Sequence, residues 1–170
     1  MTLNKTVIRV ADAPIEAYVQ VNAALSFYAL MYDYGDFDRV DRVFTEDATY
    51  DIIAHPATDE ANVAEHFGSA FELGLPMVGC DGIRDFLGAR FDDNSPFQRR
   101  HFITNVVIVQ YDGETLESVA YMLETKTPHG GSVAPEVTMS CVFEDSMVRC
   151  DDGHWRIRRR IAHPDRIAAH

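Results

Sequence analysis

The feature that most constrains the fold is a series of strand-like segments joined by tight turns in the C-terminal half of the chain. Two turns, Asp112-Gly113 and Asp151-Asp152-Gly153, each separate two segments rich in β-branched residues. Asp-Gly pairs of this kind are typical of short hairpin connections. The predicted strands are His101 to Tyr111, Thr115 to Lys126, Val137 to Cys150 and His154 to Ala162. This half therefore predicts an antiparallel meander.

The N-terminal half predicts helices. Pro14 is typical of a first helical turn, and Gly35 is typical of a helix end. Between them, apolar residues recur every three or four positions, at Ile15, Tyr18, Val21, Leu25, Tyr28 and Tyr32. Asp36 predicts the N-cap of a short second helix, whose apolar residues are Phe37, Val40, Val43 and Phe44. A third helix is predicted to start at Asp81 and to bury Ile83, Phe86, Leu87 and Phe91.

The order of these elements predicts an α+β fold, because helices come first and most strands come last. One further strand is predicted at Thr49 to Ile53. We expect residues 1–170 to form a single domain with an N-terminal extension at 1–13. Residues 54–79 contain several glycines and prolines, and we interpret them as an insertion or a lid.

Composition narrows the possible partners. The chain has 27 acidic and 15 basic residues, a net charge of -12, which argues against nucleic acid or an anionic membrane surface. No apolar run approaches the length of about 18 residues that a membrane span needs. The three cysteines favour reduced thiols in a cytoplasmic protein. His55, Glu65 and His66 lack convincing ligand spacing, so we expect no metal and no cofactor.

Two segments place polar residues where a simple core would have aliphatic ones. In the first, Tyr28 and Tyr32 share a helix face, and Asp33 lies about 100° further around the axis. Asp33 therefore borders the apolar stripe, and it belongs either to an enclosed site or to a solvated helix end. Tyr28 is either a wall of such a site or a core aromatic residue.

The second segment opens the long strand after residue 100. Strand alternation predicts one face carrying His101, Ile103, Asn105, Val107 and Val109. A histidine here is either structural or catalytic, and a nearby carboxylate favours catalysis because it fixes the tautomer and stabilises the cation. Asn105 either orients a substrate oxygen or bonds the backbone.

Two residues of the later strands are further candidates. Tyr121 is either a wall of a hollow or a core residue. Arg159 is predicted to share a face with Trp155, Ile157 and Ile161. An arginine on that face either anchors a carboxylate or a coenzyme A phosphate, or extends to the sheet edge.

Five short motifs in order resemble the SnoaL-like branch of the nuclear transport factor 2-like superfamily. They are Tyr32 to Asp38, Phe44 to Ala48, Gly82 to Phe86, Arg100 to Asn105, and Asp152 to Arg160. The resemblance implies a curled antiparallel sheet that forms a cone, a cystatin-like α+β barrel, with N-terminal helices enclosing a pocket. It also implies a homodimer or homotrimer.

In several lyases and isomerases of this group, an Asp at the end of the first helix pairs with a His at the start of a long strand. The resemblance places these roles on Asp33 and His101, with Tyr32 as a hydrogen-bond donor. Another tyrosine of such enzymes falls near Tyr50, two positions out of phase. The implied activity is cofactor-independent removal of a carbon-bound proton from a small apolar cyclic substrate. The alternatives are a non-catalytic small subunit of a ring-hydroxylating dioxygenase and a ligand-binding or polyketide-cyclase-like member.

Overall fold

The computed structural model describes residues 9–53, 76–130 and 133–167. The helices are α1 (Ile15–Tyr34), a 3-10 helix (Phe37–Arg42) and α2 (Gly79–Gly88). The strands are β1 (Phe44–Ile52), β2 (Met77–Val78), β3 (Phe97–Tyr111), β4 (Thr115–Pro128), β5 (Glu136–Arg149) and β6 (Trp155–Ile167). None of the helices in these ranges combines the length and the apolar character that crossing a membrane requires.

The six strands form one open, curled sheet in the order β2-β1-β6-β5-β4-β3. The meander from β3 to β6 is antiparallel, as the two tight turns predict. β1 pairs with β6 in parallel, so the sheet is mixed rather than purely antiparallel. The predicted α+β class is confirmed, and the parallel pair joins the N-terminal half of the chain to the C-terminal meander.

Helix α1 ends at a position that only glycine satisfies. Gly35 has φ of 68°, and a Cβ there would lie 2.5 Å from Cε1 of Phe91. The buried residues of the helix are Ala17, Val21, Leu25, Tyr28, Ala29 and Met31, whereas Ile15, predicted on the same stripe, is 69% exposed in the first turn. The last turn of α1 therefore brings Tyr32 and Asp33 against the start of β3.

Two bulges interrupt β3. The pairing with β4 shifts by one residue between Thr104 and Val107, where Asn105 has φ of 54°, and again between Ile108 and Gln110. Each extra residue moves the alternation by one position, so Val106 and Ile108 pack against the core. The predicted shared face is therefore wrong after Ile103, and Asn105 is exposed.

Two other local predictions also need correction. The second helix is a 3-10 helix that ends at Arg42, and Phe44 begins β1 instead of ending that helix. Of the predicted insertion at 54–79, residues 54–75 lie outside the described residues, while Met77–Val78 pairs with β1. In the N-terminal extension, the backbone N–H of Ala11 donates to the Ile108 carbonyl at 2.8 Å.

Candidate active site

The end of α1 and the start of β3 bring Asp33 and His101 together in the interior. The Nδ1 of His101 lies 2.7 Å from the Oδ1 of Asp33, and each side chain is 3% exposed. The backbone N–H of His101 also donates to both oxygens of this carboxylate, at 3.1 and 3.3 Å. Since the carboxylate accepts from Nδ1–H, the tautomer it favours leaves the lone pair on Nε2.

The Nε2 atom of His101 faces Glu124, a residue that the sequence analysis missed. The Oε2 of Glu124 lies 3.7 Å from this nitrogen, and its Oε1 lies 3.8 Å from the Nε of Arg99. The Glu124 side chain is 4% exposed. The imidazole therefore lies between two buried carboxylates, which stabilise the cation it becomes on taking a proton.

The bulges in β3 decide which residue faces His101. Tyr111 pairs with Leu116, so an unbroken register continued by ten positions along each strand would place Lys126 opposite His101. The two extra residues in β3 bring Glu124 to that position instead. Strand alternation in β4 was the signal available from the sequence, because Glu124 follows the inward positions Leu116, Ser118, Ala120 and Met122.

The ring of Tyr32 packs against the imidazole ring of His101. The two ring centroids are 4.4 Å apart, at an interplanar angle of 57°. Burial, with the neighbouring Tyr28 and Glu124, raises the pKa of the Tyr32 hydroxyl. This hydroxyl therefore keeps its proton at neutral pH and can donate a hydrogen bond.

A cavity of about 230 Å³ is bordered by Tyr32, Asp33 and His101. Its lining combines aromatic and charged side chains: Tyr32, Asp33, Tyr34, Arg90, Phe91, Asp92, Asp93, Ser95, Phe97, Gln98, Arg99, His101 and His129. A cavity of about 150 Å³ holds a benzene ring, so this one has room for a small cyclic molecule with substituents.

Tyr28 and Tyr50, two predicted binding residues, do not line this cavity. They are 3% and 4% exposed and lie near the Arg160 guanidinium, whose Cζ is 4.4 Å from the Tyr28 ring centroid and 5.8 Å from that of Tyr50. Burial raises the pKa of both hydroxyls. Tyr28 also stacks on Tyr32, with centroids 6.5 Å apart, so it supports the wall of the site from behind.

The arginine in the core is Arg160; Arg159 does not share the buried face of Trp155 and Ile157, and its exposure agrees with the alternative that it extends to the sheet edge. β6 has one extra residue, Arg158, between the pairs Ser146–Arg159 and Met147–Ile157, so the alternation shifts. The Arg159 side chain is consequently 55% exposed, with its Nε 3.8 Å from Asp51. Sequence alternation could not distinguish these neighbours because the strand contains three consecutive arginines.

Two further predicted binding residues lie away from the cavity. Tyr121 pairs with Thr104 and is 50% exposed, because the inward positions of β4 are the even-numbered ones. Asn105 occupies the bulge, where asparagine is among the residues that best tolerate a positive φ. Its side-chain oxygen accepts a hydrogen bond from the Thr104 hydroxyl at 3.2 Å. Neither residue contributes to the wall around His101.

The comparisons with known proteins identify the family. The family model described as a SnoaL-like domain matches residues 13–161. The chain belongs to the SnoaL-like family. No curated protein matches the sequence.

Within the part of the chain that the structure describes, no three His, Cys, Asp or Glu side chains are grouped as metal ligands would be.

Solved structures show the same fold at low sequence identity. ActVI-ORFA from Streptomyces coelicolor is 23% identical, with a TM-score of 0.68 over 88% of this chain and 98% of that one. A protein assigned as the β subunit of an aromatic-ring-hydroxylating dioxygenase from Novosphingobium aromaticivorans is 19% identical, with a TM-score of 0.63 over 92% and 95%. An NTF2-like protein with a cystatin-like fold from the same organism is 15% identical, with a TM-score of 0.64 over 88% and 82%.

These similarities confirm the cystatin-like α+β fold that the SnoaL-like resemblance implied. A SnoaL-like domain supports a ligand-binding role or a role of the cyclase or isomerase type. One fold of this kind hosts many reactions, so the chemistry has to be argued from the residues around His101.

Proposed function

We propose that this SnoaL-like protein is a cofactor-independent lyase or isomerase that removes a carbon-bound proton from a small cyclic substrate. The observation that carries the proposal is the buried contact of 2.7 Å between Asp33 and His101 beside a cavity of about 230 Å³. A histidine whose tautomer is fixed by a carboxylate is a common general base in enzymes.

In the proposed step, the lone pair on Nε2 of His101 takes a proton from a carbon next to a carbonyl or a leaving group. The C–H electron pair becomes a carbon–carbon double bond, and either the leaving group departs or an enolate forms. In an isomerisation, the same proton returns from Nε2 to another carbon. Proton transfer of this kind contributes roughly 10²–10⁴-fold to a rate.

Asp33, Tyr32 and Glu124 act on that step in different ways. Asp33 holds Nδ1–H and keeps Nε2 free to accept the proton. Tyr32 retains its proton because burial raises its pKa, and it donates a hydrogen bond to the oxygen that gains charge. Glu124, 3.7 Å from Nε2, stabilises the imidazolium that results.

The cavity supports a cyclic substrate. Tyr32, Phe91 and Phe97 give it three aromatic walls, which suit a flat apolar ring. A volume of about 230 Å³ accommodates one ring or two small fused rings. Dehydration, isomerisation and cyclisation all begin with proton removal at such a site, and the proposal applies to this shared step.

A second candidate function is that of a structural subunit or a ligand-binding, cyclase-like protein. The exposed outer face of β3 and β4 favours an assembly, since Phe102 and Leu123 pair across the strands and Tyr121 adjoins them. We propose a homodimer or homotrimer through this face. A heteromeric subunit would use the same face with a larger partner.

The free cysteines Cys80, Cys141 and Cys150 agree with a cytoplasmic location.

The test is exchange of carbon-bound protons, measured with 2-tetralone, a two-ring ketone, in D₂O. We expect the wild-type protein to accelerate exchange at the α-carbon, as followed by proton NMR. The His101→Gln variant should lose roughly 10²–10⁴-fold of the acceleration.

The matched control is His154→Gln, because His154 is exposed in the turn before β6. It should exchange at the wild-type rate. Equal exchange by wild-type protein and the His101→Gln variant would reject the proposed base. Co-purification of the native protein with a larger iron-containing chain, combined with equal exchange, would favour the structural subunit.

A further inference from the structure

Arg99 brings a positive charge into the cavity beside the proposed base. It lies two residues before His101 on β3 and ahead of both bulges, so the two residues share a face of the strand. Both side chains line the cavity. Residues two apart on a strand are separated by roughly 7 Å, which is the scale of a substituted six-membered ring.

The guanidinium of Arg99 is incompletely engaged. Its Nε lies 3.8 Å from the Oε1 of Glu124, which is longer than a hydrogen bond. Across residues 9–53, 76–130 and 133–167, no oxygen accepts a hydrogen bond from this guanidinium. The side chain is 42% exposed. The outer edge of the guanidinium, formed by its two terminal nitrogens, therefore remains available for two parallel hydrogen bonds to one carboxylate.

The acidic groups of the cavity do not occupy that edge. Asp33 accepts from the ring and the backbone of His101. Asp92 accepts from the backbone N–H of Asn94 at 2.9 Å, and Asp93 is exposed beside it in the loop after α2. Arg90 also lines the cavity, lies over the Phe86 ring at 3.8 Å and adds a second positive charge.

We propose that the cyclic substrate carries a carboxylate, which Arg99 binds through its free edge. The ring would lie against Tyr32 and Phe97, with the carbon to be deprotonated directed toward Nε2 of His101. This inference rests on the proposed function, because it names the substrate class of the same site, and it replaces the wholly apolar substrate that the family resemblance implied with an apolar ring that carries one carboxylate. It also assigns Arg99 as the binding residue that orients the ring relative to the base.

The test is binding of benzoate, a single-ring carboxylate, compared with benzamide, its neutral analogue of the same shape. Isothermal titration calorimetry on the intact chain should show benzoate binding at least about tenfold more tightly than benzamide. The Arg99→Gln variant should lose about tenfold in benzoate affinity and little in benzamide affinity. Shifts of the His101 ring resonances should locate benzoate in this cavity.

The matched control is Arg158→Gln, which removes an exposed arginine of β6 and should leave benzoate affinity unchanged. Equal affinity for benzoate and benzamide, no benzoate binding up to millimolar concentration, or wild-type affinity in the Arg99→Gln variant would overturn the inference. Benzoate affinity is measured independently of 2-tetralone exchange, so failure of the proton-transfer proposal and failure of the carboxylate site are separable.

Discussion

A buried salt bridge in the core and the buried Asp33–His101 pair beside the cavity differ in how their nitrogens are used. In the core, the Nε and Nη2 of Arg160 donate to the two oxygens of Asp145 at 2.7 and 2.8 Å, and both side chains are at most 1% exposed. Beside the cavity, Asp33 binds one nitrogen of His101, while the other nitrogen makes no hydrogen bond to the described residues and lies 3.7 Å from the Oε2 of Glu124.

The difference separates a structural role from a reactive one. Burial opposes the charge on the Arg160 guanidinium, but the attraction of Asp145 outweighs it and raises the pKa of Arg160. Rings of Tyr28 and Phe143 then cover the guanidinium, with centroids 4.4 and 4.0 Å from Cζ. At the dyad, His101 lines the cavity and its Nε2 makes no hydrogen bond to the described residues, so its lone pair is available to act as a base.

The largest effect is expected at the core pair. Asp145→Asn removes the charge that balances a fully buried guanidinium, so the free energy of unfolding should fall by about 3–5 kcal/mol. Urea unfolding followed by circular dichroism measures this change. The contrasting pair is Arg156 with Asp152, which is closer to the surface, and Asp152→Asn should change stability far less. Comparable losses in the two variants would show that burial does not distinguish these pairs.

The next effect is expected at the dyad and should appear in the rate instead of the stability. Asp33→Asn should slow exchange of 2-tetralone roughly a hundredfold, because an amide no longer favours the tautomer with a free Nε2. The same urea measurement should show a smaller loss than in Asp145→Asn. A large loss of stability with unchanged exchange would assign Asp33 a structural role and erase the contrast.

A smaller effect is expected for Glu124. Glu124→Gln removes one of the two carboxylates that flank the imidazole, and exchange should slow about tenfold, equivalent to about 1.4 kcal/mol of lost stabilisation of the imidazolium. The control is Glu136→Gln at the exposed start of β5. If both variants exchange at the wild-type rate, Asp33 alone supports His101.

An effect of similar size, on stability alone, concerns the backbone bulge in β3. Asn105→Gly should leave stability nearly unchanged, because glycine accepts the φ of 54°. Asn105→Val should lower the free energy of unfolding by roughly 1–2 kcal/mol, since a β-branched residue is strained in that region. Equal stability of the two variants would show that the bulge does not depend on the residue at this position.

Much of the fold could be predicted from the sequence because the determining signals are local. The Asp112-Gly113 turn and the stop at Gly35 are encoded in a few residues, and they place the hairpin and the end of α1 correctly. The parallel pairing of β1 with β6 is not local, since it joins segments more than a hundred residues apart. No pattern within either strand specifies that partner.

The site was less predictable because single-residue shifts decide which side chains face inward. Alternation chose Asn105 and Arg159, whereas bulges in β3 and β6 leave both outside and bring Arg160 into the core. Predicting that Glu124 faces His101 would have required the register of the β3–β4 hairpin, including its two bulges. The proximity of Asp33 to His101 was expected only through the family resemblance, because nothing in a linear sequence measures a contact across 68 residues.

The most direct test of the central claim is a double-mutant cycle on 2-tetralone exchange, with wild type, Asp33→Asn, His101→Gln and the double variant. If Asp33 acts through the imidazole, the double variant should exchange as fast as His101→Gln alone, because the carboxylate has nothing left to orient. If the two losses instead multiply, the residues act independently, and the account of one catalytic unit is contradicted.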